Sequence, residues 1–342
     1  MLFRSLVTIN AGTTTFSQGT ANGVAYLNGS KALTTGSALV FDGTNLGIGT
    51  SSPSKKLDVN GDALIYGITV GRGAGAVASN TVVGTGALAA NTTGSGNVSV
   101  GVSTLAVNTS GDNNTAVGNS ALIANTTSQY NTAIGSAALL SNTTGANNTA
   151  IGRASLQNNT TASNNTAVGY QSLYSNVTGT RLTAIGVGAG YSNTGSYNTF
   201  LGNYAGRNNT SGSQNTFVGD YSAGIGTVTG SSNTGVGQYS FSALTSGANN
   251  VAVGQSALEA NTTGSSNVGL GTGSLSANTT ASGNTAVGHQ SLRINTADYN
   301  TAVGYATLYA NTSGAENAAV GTSALYSNTT GVRNNEIGRA HV

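Results

Sequence analysis

The chain has no cysteine and no tryptophan, one proline in 342 residues, and only 6% charged residues, against about 25% in an ordinary soluble domain. Each shortage excludes something. Without cysteine there is no disulfide framework and no thiolate for metal binding or nucleophilic attack. Eleven Lys and Arg against nine Asp and Glu leave a net charge of +2. That is too little for a nucleic-acid footprint or for attraction to an anionic membrane. No apolar run approaches the 18 or so residues of a membrane span, so membrane insertion is not expected. The Gly-x-Gly triplets Gly47-Ile48-Gly49 and Gly224-Ile225-Gly226 lack the strand-to-helix setting of a phosphate loop. No cofactor and no metal is expected.

What is abundant is Gly, Asn, Thr, Ser and Ala, and they come in order. From about Asn80 onward a seventeen-residue unit recurs, roughly Asn-Thr-Ala-Val-Gly-x-x-Ala-Leu-x-x-Asn-Thr-Thr-Gly-x-x. Its closing glycine falls at Gly84, Gly101, Gly118, Gly135 and Gly152, and so on to Gly321, with slips of one residue around Gly202, Gly237 and Gly304. A fixed short period implies a stacked array in which each unit touches mainly its neighbours. Low-complexity disorder would not keep Val and Leu in register. Stacking also explains the missing charge: a charged consensus position would repeat every ~4.8 Å as a like-charge ladder, whereas Asn and Thr can hydrogen-bond along it.

Within a unit, Asn114-Thr115-Ala116-Val117 reads as a short strand closed by Gly118. A second extended piece is expected around Ala121-Leu122, and Asn125-Thr126-Thr127 is expected to form the return corner. Val117 and Leu122 are expected to point inward, with small Ala beside them. The apolar spacing is not helical. The fold class is therefore all-β, a parallel β-solenoid or β-roll. Two large aliphatics per turn are little burial to set against the entropy of ordering seventeen residues. Oligomerisation would supply more, which argues for a homomeric rod.

Residues 6–75 do not follow the period and read as a short-stranded β stalk segment. Their strand-like runs are Gly23–Leu27, Ala38–Phe41, Asn45–Gly49 and Lys56–Val59, with hairpin-type signals at Asp42-Gly43 and Asn60-Gly61. Pro53 marks a bend, and a glycine-rich joint from Gly71 to Gly75 leads into the solenoid at 76–335. The two ends read differently. Met1–Ser5 back-translates to GTG-CTC-TTC-CGA-TCT, which resembles a short-read sequencing adapter, and Ile337–Val342 resembles the same adapter on the other strand. Residues 1–5 and 336–342 are accordingly expected to be adapter-derived, and the chain a metagenomic fragment cut at both ends, so that a missing leader or terminal domain carries no information.

The Asn-Thr-Ala-Val/Ile-Gly core resembles the head repeat of trimeric autotransporter adhesins, a parallel β-roll trimer, although the unit here is longer by an Asn-Thr-Thr-Gly corner. The stretch Phe41–Pro53, with Lys56-Leu57-Asp58-Val59-Asn60-Gly61 after it, is similar to bacteriophage tail-fibre proteins and related bacterial surface proteins. The resemblance implies a homotrimeric fibre in a virion tail that supports host attachment. The alternative is a bacterial cell-surface trimeric adhesin. The partners implied are two further copies of the chain and a host surface glycan or protein. Neither resemblance carries a catalytic residue, and the chain is not expected to be an enzyme.

Candidate sites are few. His289 takes a position held by Asn119, Tyr170 and Asp220 in other units, as a variable outward side chain would. Asp112, Asp220, Asp298, Glu259 and Glu316 fall on different turns, which gives no carboxylate pair for glycoside cleavage. A polysaccharide depolymerase is thus a remote alternative. Asn-x-Thr triplets such as Asn91-Thr92-Thr93 and Asn261-Thr262-Thr263 read as corners, not glycosylation sites. An ice- or glycan-binding solenoid is also remote, because the paired Thr sits at corners and not on a flat strand face. Tyr191, Tyr197, Tyr204, Tyr221 and Tyr239 concentrate where the repeat degenerates and Leu gives way to Gly190 and Gly206. They form the candidate receptor-contact patch, because tyrosine offers a flat amphipathic face.

Overall fold

The computed structural model describes residues 23–27 and 33–338, with side chains described from Leu39 onward. Residues 1–5 and 339–342 lie outside the described residues. The chain divides into two compact units, Met1–Leu64 and Ile65–Val342.

The described part of the first unit is a four-stranded sheet of β1 (Gly23–Leu27), β2 (Leu33–Phe41), β3 (Leu46–Ile48) and β4 (Leu57–Val59). The strand-like runs seen in the sequence become these strands. Asp42-Gly43 does turn the β2–β3 hairpin, which pairs Phe41 with Leu46. The Asp42 carboxylate accepts from the backbone N–H of Thr44 and Asn45 at 2.8 and 2.7 Å. No hairpin forms at Asn60-Gly61: β4 pairs in parallel with β3, and β5 (Ala63–Ile65) joins the other sheet. Pro53 is buried in the β3–β4 connection, where its carbonyl accepts from Asn45 Nδ2.

The second unit is a parallel β-solenoid. Strand β6 (Ile68–Gly71) pairs antiparallel with β7 (Thr81–Val83). Between them Gly73 and a 3₁₀ turn at Ala74–Ala76 form a partial coil beneath the first full one, with the Ala74 N–H on the Leu88 carbonyl. Sixteen three-residue strands then follow from β7 to β22 (Asn335–Ile337), each paired in parallel with its sequence neighbours. Equivalent residues stack without slippage: Thr115, Thr132 and Thr149 form one column, and Val117, Ile134 and Ile151 another. Register survives the irregular lengths as well, with Thr183 on Thr199, Thr216 on Thr234 and Thr285 on Thr301. The slips are absorbed in corners. In the two sixteen-residue turns the corner asparagines Asn193 and Asn295 bond a carbonyl two residues on, at Gly195 and Ala297, where Asn176 bonds three residues on, at Gly179.

Inside each turn the packing departs from the sequence reading in two ways. The inward strand residue is Ala116, fully buried, while Val117 and its equivalents face out and stay partly exposed. Strand side chains alternate, so Ala inside places its Thr and Val neighbours outside. The cavity is narrow, and alanine is what fits beside Leu122. Leu122 is buried as expected, but its segment is a tight turn and not an extended piece. Leu122 itself has φ +51°, and Ser120 has φ +56°. Equivalent leucines from Leu88 to Leu325 share that left-handed backbone.

Two asparagine ladders line the corners. In the first, Asn131 N–H donates to Asn114 Oδ1 at 3.0 Å, and Asn131 Nδ2 reaches the Gly145 carbonyl at 3.0 Å. In the second, Asn125 Nδ2 donates to Asn108 Oδ1 at 2.8 Å and to the Ser128 carbonyl. Both columns are buried up to the last turn, where Asn328 and Asn334 are half-buried; buried amides need partners inside, and stacking provides them for all but Asn278 Oδ1. Leu182 interrupts the first ladder, and buried Val228 and Leu244 interrupt the second on adjacent turns.

The middle of the stack has a different core. Phe200 and Phe217 replace inward Ala, and Gly190 and Gly206 replace Leu. A Cβ at Gly190 or Gly206 would lie 2.5 or 2.2 Å from the Phe200 ring. One turn reverses the exchange, with Phe241 in the Leu position facing Gly235 in the Ala position. Phe217 stacks on Phe200 at 6.0 Å between centroids and meets Phe241 edge to face at 6.4 Å.

Candidate functional site

With the interior filled by Ala, Leu, Phe and Asn, anything the solenoid offers a partner lies on its outward columns. A side chain at one position meets its equivalents one turn above and below, so aromatic and charged residues are read best as columns.

The five candidate tyrosines occupy three columns. Tyr204, Tyr221 and Tyr239 lie two residues after the closing glycine; Tyr221 is tilted by 47° against Tyr204 and stacks on Tyr239, with centroids 5.1 and 5.9 Å apart. The Arg207 guanidinium lies 4.9 Å from the Tyr204 ring centre. Tyr191 stacks instead on Tyr174 at 5.0 Å. Tyr197 lies under Arg181, whose Nη1 donates to its hydroxyl. The band therefore contains one three-ring ladder, not a five-ring patch. Its rings spend their faces on one another, on Arg207 and on Gly188, where a Cβ would lie 2.6 Å from Tyr204. All three rings are half-buried. Beside it runs a polar ladder, with Asn203 Nδ2 donating to Asp220 Oδ1 at 3.0 Å and Gln238 Nε2 to Asp220 Oδ2 at 3.3 Å.

His289 is exposed and stacks on Tyr305 at 5.3 Å. The acidic residues stay on separate turns, and two of them cap the turn below. Asp112 Oδ1 accepts from Ser95 N–H and Oγ, and Asp298 Oδ1 accepts from Ser282 N–H. Glu316 pairs with Arg333 at 2.8 Å, and hydrogen bonding to Glu316 raises the Arg333 pKa above its ordinary value. Among the described residues no three His, Cys, Asp or Glu side chains come together as a metal site. No helix among them is long and apolar enough to cross a membrane. Gly224-Ile225-Gly226 forms an insertion loop with Ile225 exposed.

Threonine behaves differently at its two sites. The corner hydroxyls are engaged: Thr92 Oγ1 donates to the Thr109 carbonyl at 2.9 Å, and Thr262 Oγ1 to the Thr279 carbonyl at 3.0 Å. A second set, from Thr81 to Thr301, lies on the outer strand face beside the Val/Ile column. The paired threonines sit at corners as expected, and the strand threonine forms a further outward column. The alternation that turned Ala inward turned this Thr outward. Sequence reasoning missed this face because it assigned Val to the core, although the strict Thr-x-Val spacing was the signal for it.

Comparison with protein-family models, with curated proteins and with solved structures finds no match.

Proposed function

We propose that this chain is part of the shaft of a bacteriophage tail fibre, assembled as a homotrimer and acting mechanically, without catalysis. The observation that carries the reading is the uninterrupted parallel stack from β7 to β22. At ~4.8 Å per turn it makes a rod about 70 Å long, stiffened by two internal asparagine ladders. A rod of this kind holds the elements at its ends apart and lets weak contacts along its length add through avidity. The Phe41–Gly61 stretch, which resembles fibre proteins, inclines the reading to phage over a bacterial surface adhesin of the same build. The Tyr204–Tyr221–Tyr239 ladder is the stretch of surface proposed to touch a host glycan or protein, by hydroxyls and ring edges.

An antibody raised against the solenoid and used in immunogold electron microscopy of cells that carry the gene, and of their phages, tests the assignment. Label on virion tails is expected, and label confined to cell envelopes would replace it with the adhesin reading. Incubation with capsular polysaccharide should leave its viscosity unchanged; a fall would overturn the non-catalytic part.

A further inference from the structure

We infer that the outer face of the strand stack is the surface through which copies of this chain meet, with the Val/Ile column of each copy packed against the same columns of its partners. The inference rests on the homotrimeric reading above and adds to it the surface used.

The face has two columns of sixteen residues. The one next to the closing glycine runs Val83, Val100, Val117, Ile134 and onward to Val320 and Ile337, and every member is aliphatic. Ile134, Ile185, Leu201 and Val320 are 38, 40, 45 and 43% exposed. The column extends onto β6, where Val70 pairs with Val83 and is also exposed. In the other column Thr predominates, replaced only by Val98, Val251, Val268, Ala318 and Asn335. None of these threonine hydroxyls makes a hydrogen bond within the chain among the described residues.

Three features point to a second copy and not to solvent. First, the aliphatic stripe runs the length of the solenoid, while a soluble monomer rarely exposes a contiguous apolar patch beyond about 300–600 Å². Second, neither column holds a charge on any of the sixteen turns, yet other outward columns carry Arg153, Asp220, Arg207, Glu259, Arg293 and Arg333. The lack of charge along the whole length of the face is what the core of an interface requires. Third, two columns of sixteen residues compare with about 20–30 residues a side in a standard interface. An uncharged, unvarying stripe is complementary to itself, and free hydroxyls beside it can pair across copies.

The test uses the full chain, with mass read by analytical ultracentrifugation and fold by circular dichroism. Ile134→Lys combined with Val168→Lys puts two charges on the face, on alternate turns so that the lysines do not stack. Ser136→Lys combined with Tyr170→Lys puts the same charges on the same turns, two residues further along the chain. The face variant should sediment as the single 33.5 kDa chain with an unchanged β spectrum, and the control should keep the wild-type mass. Should the lysine face variant fail to fold, Ile134→Thr with Val168→Thr decides. These suit strands, and they should raise the dissociation constant at least tenfold. A face variant that keeps the oligomeric mass, or a control that loses it, would overturn the inference and leave the shaft reading standing. A wild-type chain that is a folded single-chain species would overturn both, and inhibition of ice growth by that species would reassign the face to ice contact.

Discussion

Gly118 and Leu122 both have positive φ, and for opposite reasons. At Gly118, φ is +127° and an added Cβ would lie 2.7 Å from the Gly135 backbone of the next turn. Only glycine lets the two backbones approach so closely. Leu122, at φ +51°, sits in the left-handed well that a side chain can enter at modest cost, and burial of the leucine offsets that cost. Gly118→Ala should therefore destabilise by about 2–3 kcal/mol or more. Gly86→Ala should be nearly silent, because Ala137 and Ala154 already hold that position with the same backbone. Thermal or urea unfolding of the two variants reads the difference, and equal midpoints would contradict it. Asn131→Ala should cost about 1–3 kcal/mol by leaving the buried Asn148 N–H without its partner and the Gly145 carbonyl with Asn142 Nδ2 alone. At Asp42, hydrogen bonds from the Asn45 and then the Thr44 backbone hold the carboxyl below its usual pKa. A carboxyl lowered in the folded state adds stability above its unfolded pKa of about 3.9 and loses it as pH falls through the folded value. The Thr44 and Asn45 amide resonances should thus titrate together below about pH 3.9; shifts that stay flat to pH 2 would contradict the turn.

At the scale of the turn, the Phe200 region shows one chain solving the same packing problem twice. Ala with Leu and Phe with Gly are two fillings of one narrow space. Gly190→Leu alone should be strongly destabilising because it meets Phe200, and Phe200→Ala alone should cost about 3–5 kcal/mol through the cavity it leaves. Together they restore the Ala–Leu filling on the turn of Ala184 and leave Gly206 open on the next, so the double variant should be more stable than the sum of the singles by more than about 1 kcal/mol. Simple additivity in a double-mutant cycle would contradict the packing account. The same region shows what was legible in the sequence. The period, the strand Thr115–Val117, buried Leu122 and the corner asparagines could be read, because a stacked array repeats every spacing many times over. The side on which Val117 lies could not, since Thr-Ala-Val alternates in hydrophobicity too weakly to say which face is inward. The left-handed leucines were hidden for a related reason: no residue type advertises αL backbone except Gly and Asn. The tyrosines were visible as a cluster, but their division into columns depends on corner lengths that only the fold sets.

For the whole solenoid, the hydrogen-bond ladders run along the stack and bind each turn to the next, while little of the burial is contributed by any single turn. Such an array should resist pulling along its axis better than its thin core suggests, and its stability should grow with the number of turns. The outward aliphatic column runs the length of the described solenoid and is left uncovered, which is why the account needs other copies of the chain. The most direct test is the mass of the intact wild-type chain, by light scattering across a size-exclusion peak. The account predicts three times the 33.5 kDa of one chain, with a β-rich circular dichroism spectrum on the same peak. A folded, β-rich species of 33.5 kDa would contradict it.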